Sequence, residues 1–167
     1  MRRRHQPSPE YVKELCEAVG RVIVSFAICE HALTISTAKI FGLTRVQERA
    51  LVRPIGLRAK TSLLRRVGKD CLIPGNYKTL NEILKEVEDL SDDRNNLAHG
   101  FYGTKNGKFT LVTFSGEARI SSRPVAWTPT TLTQLAGSIQ QATTRAANLR
   151  LLFPKSLKLP KIRSPKS

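Results

Sequence analysis

Apolar residues recur along this chain with two periods, a helical one over most of its length and a strand-like one near residue 110. Val12, Leu15, Val19, Val22, Phe26, Leu33 and Ile40 follow steps of three, four or seven, which predicts one long amphipathic helix ending near Gly42. Ser8-Pro9-Glu10 supplies its start, with a capping hydroxyl, a proline at the first turn and an early acid. Thr44 caps a second helical stretch that breaks around Pro54 and Gly56, and a third runs through Leu63, Leu64 and Val67 to about Gly68. Pro74-Gly75-Asn76 reads as a turn ahead of a fourth helix, whose stripe is Leu80, Ile83, Leu84, Val87, Leu90 and Leu97. Past Gly100 the period falls to two. Phe109, Leu111 and Thr113 alternate with Thr110, Val112 and Phe114, Ser115-Gly116 turns the chain, and Ala118 to Val125 is extended. Asn106-Gly107 is a further turn signal. This predicts a two-stranded ribbon, too small to stand without helices to pack on. Thr128-Pro129 opens a last helix bearing Leu132, Leu135, Ile139, Ala142, Ala146, Leu149 and Phe153, closed by Pro154. The fold class is mainly α: an antiparallel helical bundle with a small β ribbon inserted before the last helix.

Length adds that 167 residues make one domain, over residues 8–154, flanked by a basic arm at 1–7 and a basic tail at 155–167 without a folding pattern. Charge changes the picture more. Lys and Arg total 28 against 13 Asp and Glu, a formal net charge of +15, which favours a polyanionic partner: nucleic acid first, an anionic membrane surface second. The cations concentrate between Arg45 and Lys69, where Arg58, Lys60, Arg65, Arg66 and Lys69 are the candidate nucleic-acid contacts. The acids crowd into Glu82 to Asp93. Cys16, Cys29 and Cys71 show no paired spacing, and Cys16 and Cys29 read as small core hydrophobes, so a reducing cytoplasm is expected and neither a disulfide framework nor a metal site. Val22 to Cys29 is too short to span a bilayer, and no membrane partner is expected.

Two charged residues interrupt the apolar stripes. Arg94 falls between Leu90 and Leu97, and Glu30 falls between Phe26 and Leu33. A guanidinium on a buried face needs a partner, and two helices that bury their stripes together can pair Arg94 with Glu30 in a charge-assisted, bidentate bond. That pair serves either a site or helix register alone. His99 lies five residues past Arg94, followed by Gly100, which suits a left-handed helix cap. In an ideal helix the two side chains diverge by about 140°, whereas Asn95 shares a face with His99. Arg94 and His99 converge on one phosphate if the helix loosens at its end, or if two subunits each offer their set.

Arg94-Asn95-Asn96-Leu97-Ala98-His99-Gly100 resembles the arginine–four residues–histidine signature of the HEPN superfamily, as do Phe26, Glu30, His31 and Leu33 on an early helix. The resemblance covers roughly residues 10 to 100 and the last helix. It implies a HEPN-like helical bundle and a metal-independent endoribonuclease without cofactor, in which the ribose 2′-OH attacks the neighbouring phosphorus. His99 would act as general base or acid, Arg94 would stabilise the charged phosphorane, Asn95 would orient one of them and Glu30 would hold Arg94. It implies further a homodimer with a shared cleft, and a toxin or defence effector restrained by an acidic antitoxin. Members paired with a nucleotidyltransferase antitoxin carry tyrosine two residues after the histidine; here that position is Phe101, with Tyr102 next. Two other readings stand beside it: a non-catalytic nucleic-acid-binding protein on the same scaffold, and a protein-interaction subunit whose acidic stripe meets a basic partner. Gly-rich phosphate loops and nucleophile elbows are absent from the sequence.

Overall fold

The computed structural model describes residues 8–105, 108–112 and 127–154. The basic arm and tail, the Asn106-Gly107 and Ser115-Gly116 turns and the extended stretch Ala118 to Val125 lie outside the described residues. The protein is a mainly helical bundle. Helix α1 spans Pro9–Ile40, a short α2 spans Arg45–Gln47 and continues as a wider π turn at Glu48–Val52, α3 spans Leu57–Cys71 and α4 spans Pro74–His99. Strands β1 (Phe101–Lys105) and β2 (Lys108–Val112) pair antiparallel, and α5 (Pro129–Ala147) is followed by a 3-10 turn at Leu149–Leu152.

The helix starts obey the capping chemistry of the sequence. Ser8 accepts from the Tyr11 amide, Thr44 from that of Gln47 and Thr128 from that of Thr131. The bundle is organised on α1, which packs most extensively on α5 and also meets α4 and α3. Its stripe of Leu15, Ala18, Val22, Phe26, Cys29 and Leu33 is buried among Leu80, Leu84 and Val87 of α4 and Leu132, Ile139 and Ala142 of α5. Polar stitches join the ends: Ser36 Oγ donates to the Ala147 carbonyl at 3.0 Å, and Asn76 Nδ2 donates to the Leu152 carbonyl at 3.0 Å.

Several expectations need correction. Pro74 is the first residue of α4 rather than part of a turn, because its fixed φ and missing amide suit a helix start. The final helix stops at Ala147, and the chain reaches Pro154 through the tighter turn that buries Leu149 and Phe153. The described strand pair joins 101–105 to 108–112, a partner the sequence pattern did not indicate, while the expected pairing of 109–114 with 118–125 involves residues outside the described ones. Phe101 pairs with Val112 and Lys105 with Lys108. Cys16 is exposed; only Cys29 joins the core. Finally, α1 holds an 18-residue stretch of mean hydropathy 1.5, long and apolar enough to cross a membrane, because Leu33, Ile35 and Ala38 continue the pattern beyond Glu30. A core helix meets the same criterion, so α1 is compatible with a soluble or a membrane setting.

Candidate functional site

Glu30 lies one turn beyond Phe26 on α1, and Arg94 of α4 lies against both. The Arg94 guanidinium carbon sits 4.8 Å from the centroid of the Phe26 ring, a cation–π arrangement over a ring that is itself buried. One guanidinium nitrogen stands 4.0 Å from Glu30 Oε2. The expected bidentate bond is therefore absent, and the contact is an ion pair beyond hydrogen-bond range. A second cation stands beside the same carboxylate. Lys60 Nζ of α3 approaches Glu30 Oε1 at 3.9 Å, so one carboxylate is shared between two positive groups.

Lys60 is a correction in its own right. It was expected on a nucleic-acid-binding surface, but only 2% of it is exposed. It occupies the inward face of α3 with Thr61, Leu64 and Gly68. Burial pulls its ammonium below the usual lysine range, and Glu30 partly opposes that shift. The remaining basic positions divide. Arg66 and Lys69 are exposed on α3. Arg58 is exposed and reaches Asp92 Oδ1 at 3.4 Å. Arg65 is committed to Glu88, through two hydrogen bonds of 2.7 Å, while Thr61 Oγ1 also donates to Glu88. The Arg65 guanidinium holds the Glu88 carboxyl below the usual carboxylate range and is itself raised in return.

Between the start of α3 and the last turns of α4 lies an open cleft of about 350 Å³. Glu30, Arg94 and Asn95 line it, together with Gly56, Leu57, Arg58, Glu88, Ser91 and Asp92. The structure thus brings four of the expected site residues, Glu30, Arg58, Arg94 and Asn95, into one cleft. His99 does not line it. It is exposed at the last position of α4, which stays helical up to it. Five residues of regular helix place His99 about 7.5 Å further along the axis and about 140° around from Arg94. Gly100 does not form a left-handed cap: at φ −78° and ψ 153° it is extended and leads directly into β1. The helix does not loosen at its end, so within one chain Arg94 and His99 stay apart.

Sequence reasoning missed Lys60 as an inward residue and Ser91 as a cleft residue. The signal was present for both. Lys60 stands four before Leu64, and Ser91 stands four after Val87, each on a buried stripe that it interrupts in the manner of Arg94. His31 is exposed on α1, away from the inward stripe. Among the described residues, no group of three or more His, Cys, Asp and Glu is placed to hold a metal ion. Comparison with protein-family models, curated proteins and solved structures returns no match.

Proposed function

We propose that this protein is a HEPN-like, metal-independent endoribonuclease acting as a homodimer in the cytoplasm. The observation that carries the reading is Arg94 itself: a guanidinium seated on Phe26, drawn toward Glu30 and turned into a cleft beside Asn95. Such a cation is preorganised for charge that develops on a phosphorane, because its partners are fixed before the substrate arrives. The nucleophile is the ribose 2′-OH, and its attack on the adjacent phosphorus releases the 5′-oxygen and leaves a 2′,3′-cyclic phosphate. His99 from the facing subunit removes the 2′-OH proton or protonates the leaving oxygen. Asn95 orients the phosphate or the imidazole. The positive charge of the chain suits RNA, and an acidic antitoxin or regulatory partner suits the same surfaces, as in a toxin or defence effector.

A second reading, a non-catalytic RNA-binding protein, draws on the exposure of Arg66 and Lys69 and on the position of His99 outside the cleft. One assay separates the two. Structured, end-labelled RNA is incubated in excess EDTA with wild type, Arg94→Ala or His99→Ala, and products are read for 2′,3′-cyclic ends. Catalysis requires wild-type cleavage, a loss of about 10²–10⁴-fold in His99→Ala and about 10²–10³-fold in Arg94→Ala. Mixing the two variants restores about a quarter of the wild-type rate if the site is shared across a two-fold axis. Equal behaviour of all three proteins favours simple binding.

A further inference from the structure

The short helical segment after α1 presents a surface that the ribonuclease reading does not use. Its α2 turn runs into the π turn at Glu48–Val52, which a bond from the Arg53 amide to the Glu48 carbonyl closes at 3.0 Å. A bond spanning five residues widens the turn relative to an α-helix. The segment meets the bundle chiefly through α1. Of residues 45–53 only Val52 is buried, Glu48 is half-buried and the other seven are exposed. Two of the seven are large and apolar: Val46 is 77% exposed and Leu51 60%. A lone exposed aliphatic is ordinary, but two in one short segment, standing among cations, form a mixed surface with a definite chemistry.

The charges on this segment are sorted. Arg45, Arg49 and Arg53 are exposed, and among the described residues neither Arg45 nor Arg49 has a carboxylate within ion-pair range. Across residues 45–58 the one acid is Glu48, and it is turned inward. Its side chain is 13% exposed, and the buried Oε1 stands 3.5 Å from Arg53 Nε. Solvent therefore meets three guanidinium groups and two aliphatic side chains. An RNA backbone would engage the guanidinium groups, but valine and leucine offer a base no aromatic face to stack on. The headgroup layer of an anionic bilayer suits both classes at once, because arginine pairs with lipid phosphates and carboxylates while aliphatic side chains enter the acyl boundary. We propose that residues 45–53 dock on the surface of an anionic phospholipid bilayer, with Val46 and Leu51 entering the interface and Arg45, Arg49 and Arg53 lying on the headgroups. Such contact is peripheral and requires no segment to span the membrane. It uses no residue of the cleft, so it stands or falls separately from RNA cleavage.

The test is co-flotation of the full chain with large unilamellar vesicles, made of phosphatidylcholine alone or of equal parts phosphatidylcholine and phosphatidylserine. Binding is expected to the anionic vesicles only, and it weakens as salt rises. Arg49→Ser should lower the partition coefficient about five-fold, the effect of one cation at an anionic surface, and Arg45→Ser should do the same. Leu51→Ser leaves the charge unchanged and should lower it about ten-fold. Lys13→Ser removes an equal charge near the other end of α1 and should lower it about two-fold or less, being beyond the screening length. All four positions are exposed, so the variants keep the fold, and melting curves check this. RNA titrations of the same proteins address the other polyanion: Leu51→Ser is expected to bind RNA as wild type does. Equal flotation of wild type and Leu51→Ser overturns the proposal, and so does equal binding to both kinds of vesicle. A loss of RNA affinity in Arg45→Ser and Arg49→Ser, with no vesicle binding by wild type, overturns it in favour of an RNA surface.

Discussion

At the scale of single residues, two carboxyl groups on α4 give opposite dependences on pH. Burial raises the Asp93 carboxyl above its ordinary 3.8, with the charges of Asp92 and Asp89 adding to the effect. A raised acid binds its proton more tightly in the folded chain, so its penalty is present at neutral pH and is relieved as pH falls through the raised value. Glu88 is lowered from 4.5 by Arg65, so its contribution is present above 4.5 and is lost as pH falls through the depressed value. Asp93→Asn is expected to stabilise the fold at pH 7 by about 0.5 kcal/mol, the scale of a like-charge pair one helical turn apart, and to lose that gain in acid. Glu88→Gln costs about 1–2 kcal/mol at pH 7 and nothing once the carboxyl is protonated. Chemical denaturation of both variants between pH 3 and pH 7 measures these slopes. The sequence made Glu30 and Arg94 visible because each breaks an apolar stripe. It did not make Lys60 visible, because among eight cations in one segment a buried one is distinguished only by its register with Leu64.

At the scale of elements, α3 and α4 approach closely because Gly68 has no side chain. A methyl group there would collide with Leu80 and press on Leu72 and Tyr77. Gly68→Ala gains helix propensity but overpacks the core, for a net loss of about 1–3 kcal/mol, read as a lower Tm with the helical spectrum retained. Helix boundaries were legible wherever a capping side chain marked them, as at Ser8, Thr44 and Thr128. They were misread at Pro74 and Ala147, where proline and glycine admit both turn and helix start, and where an apolar stripe continues beyond the α-helix into a 3-10 turn. The strand at 101–105 was not legible for a related reason. Alternation establishes that a segment is extended but does not choose which neighbouring segment it pairs with.

Over the whole molecule, the charge of +15 sets the terms of any encounter with RNA. Binding to unrelated RNA sequences should weaken steeply with salt, and each of Arg66→Ala and Lys69→Ala should reduce the log–log slope by about 0.7–0.9. Arg65→Ala should instead act mainly on stability, since its guanidinium is held by Glu88. Titrations at several salt concentrations separate these effects. Composition announced the field but not which cations face outward, because that depends on how α3 rolls against α1 and α4. The pairing of α1 with α5 has a consequence during synthesis. The helix that organises the bundle is made before its main partner, which begins about 90 residues later, a wait of roughly 5–20 s at ordinary elongation rates. For that interval the nascent chain carries an uncovered apolar segment with the length and hydropathy of a membrane anchor. Until α5 is made, that stripe lacks the neighbour that covers most of it in the finished fold.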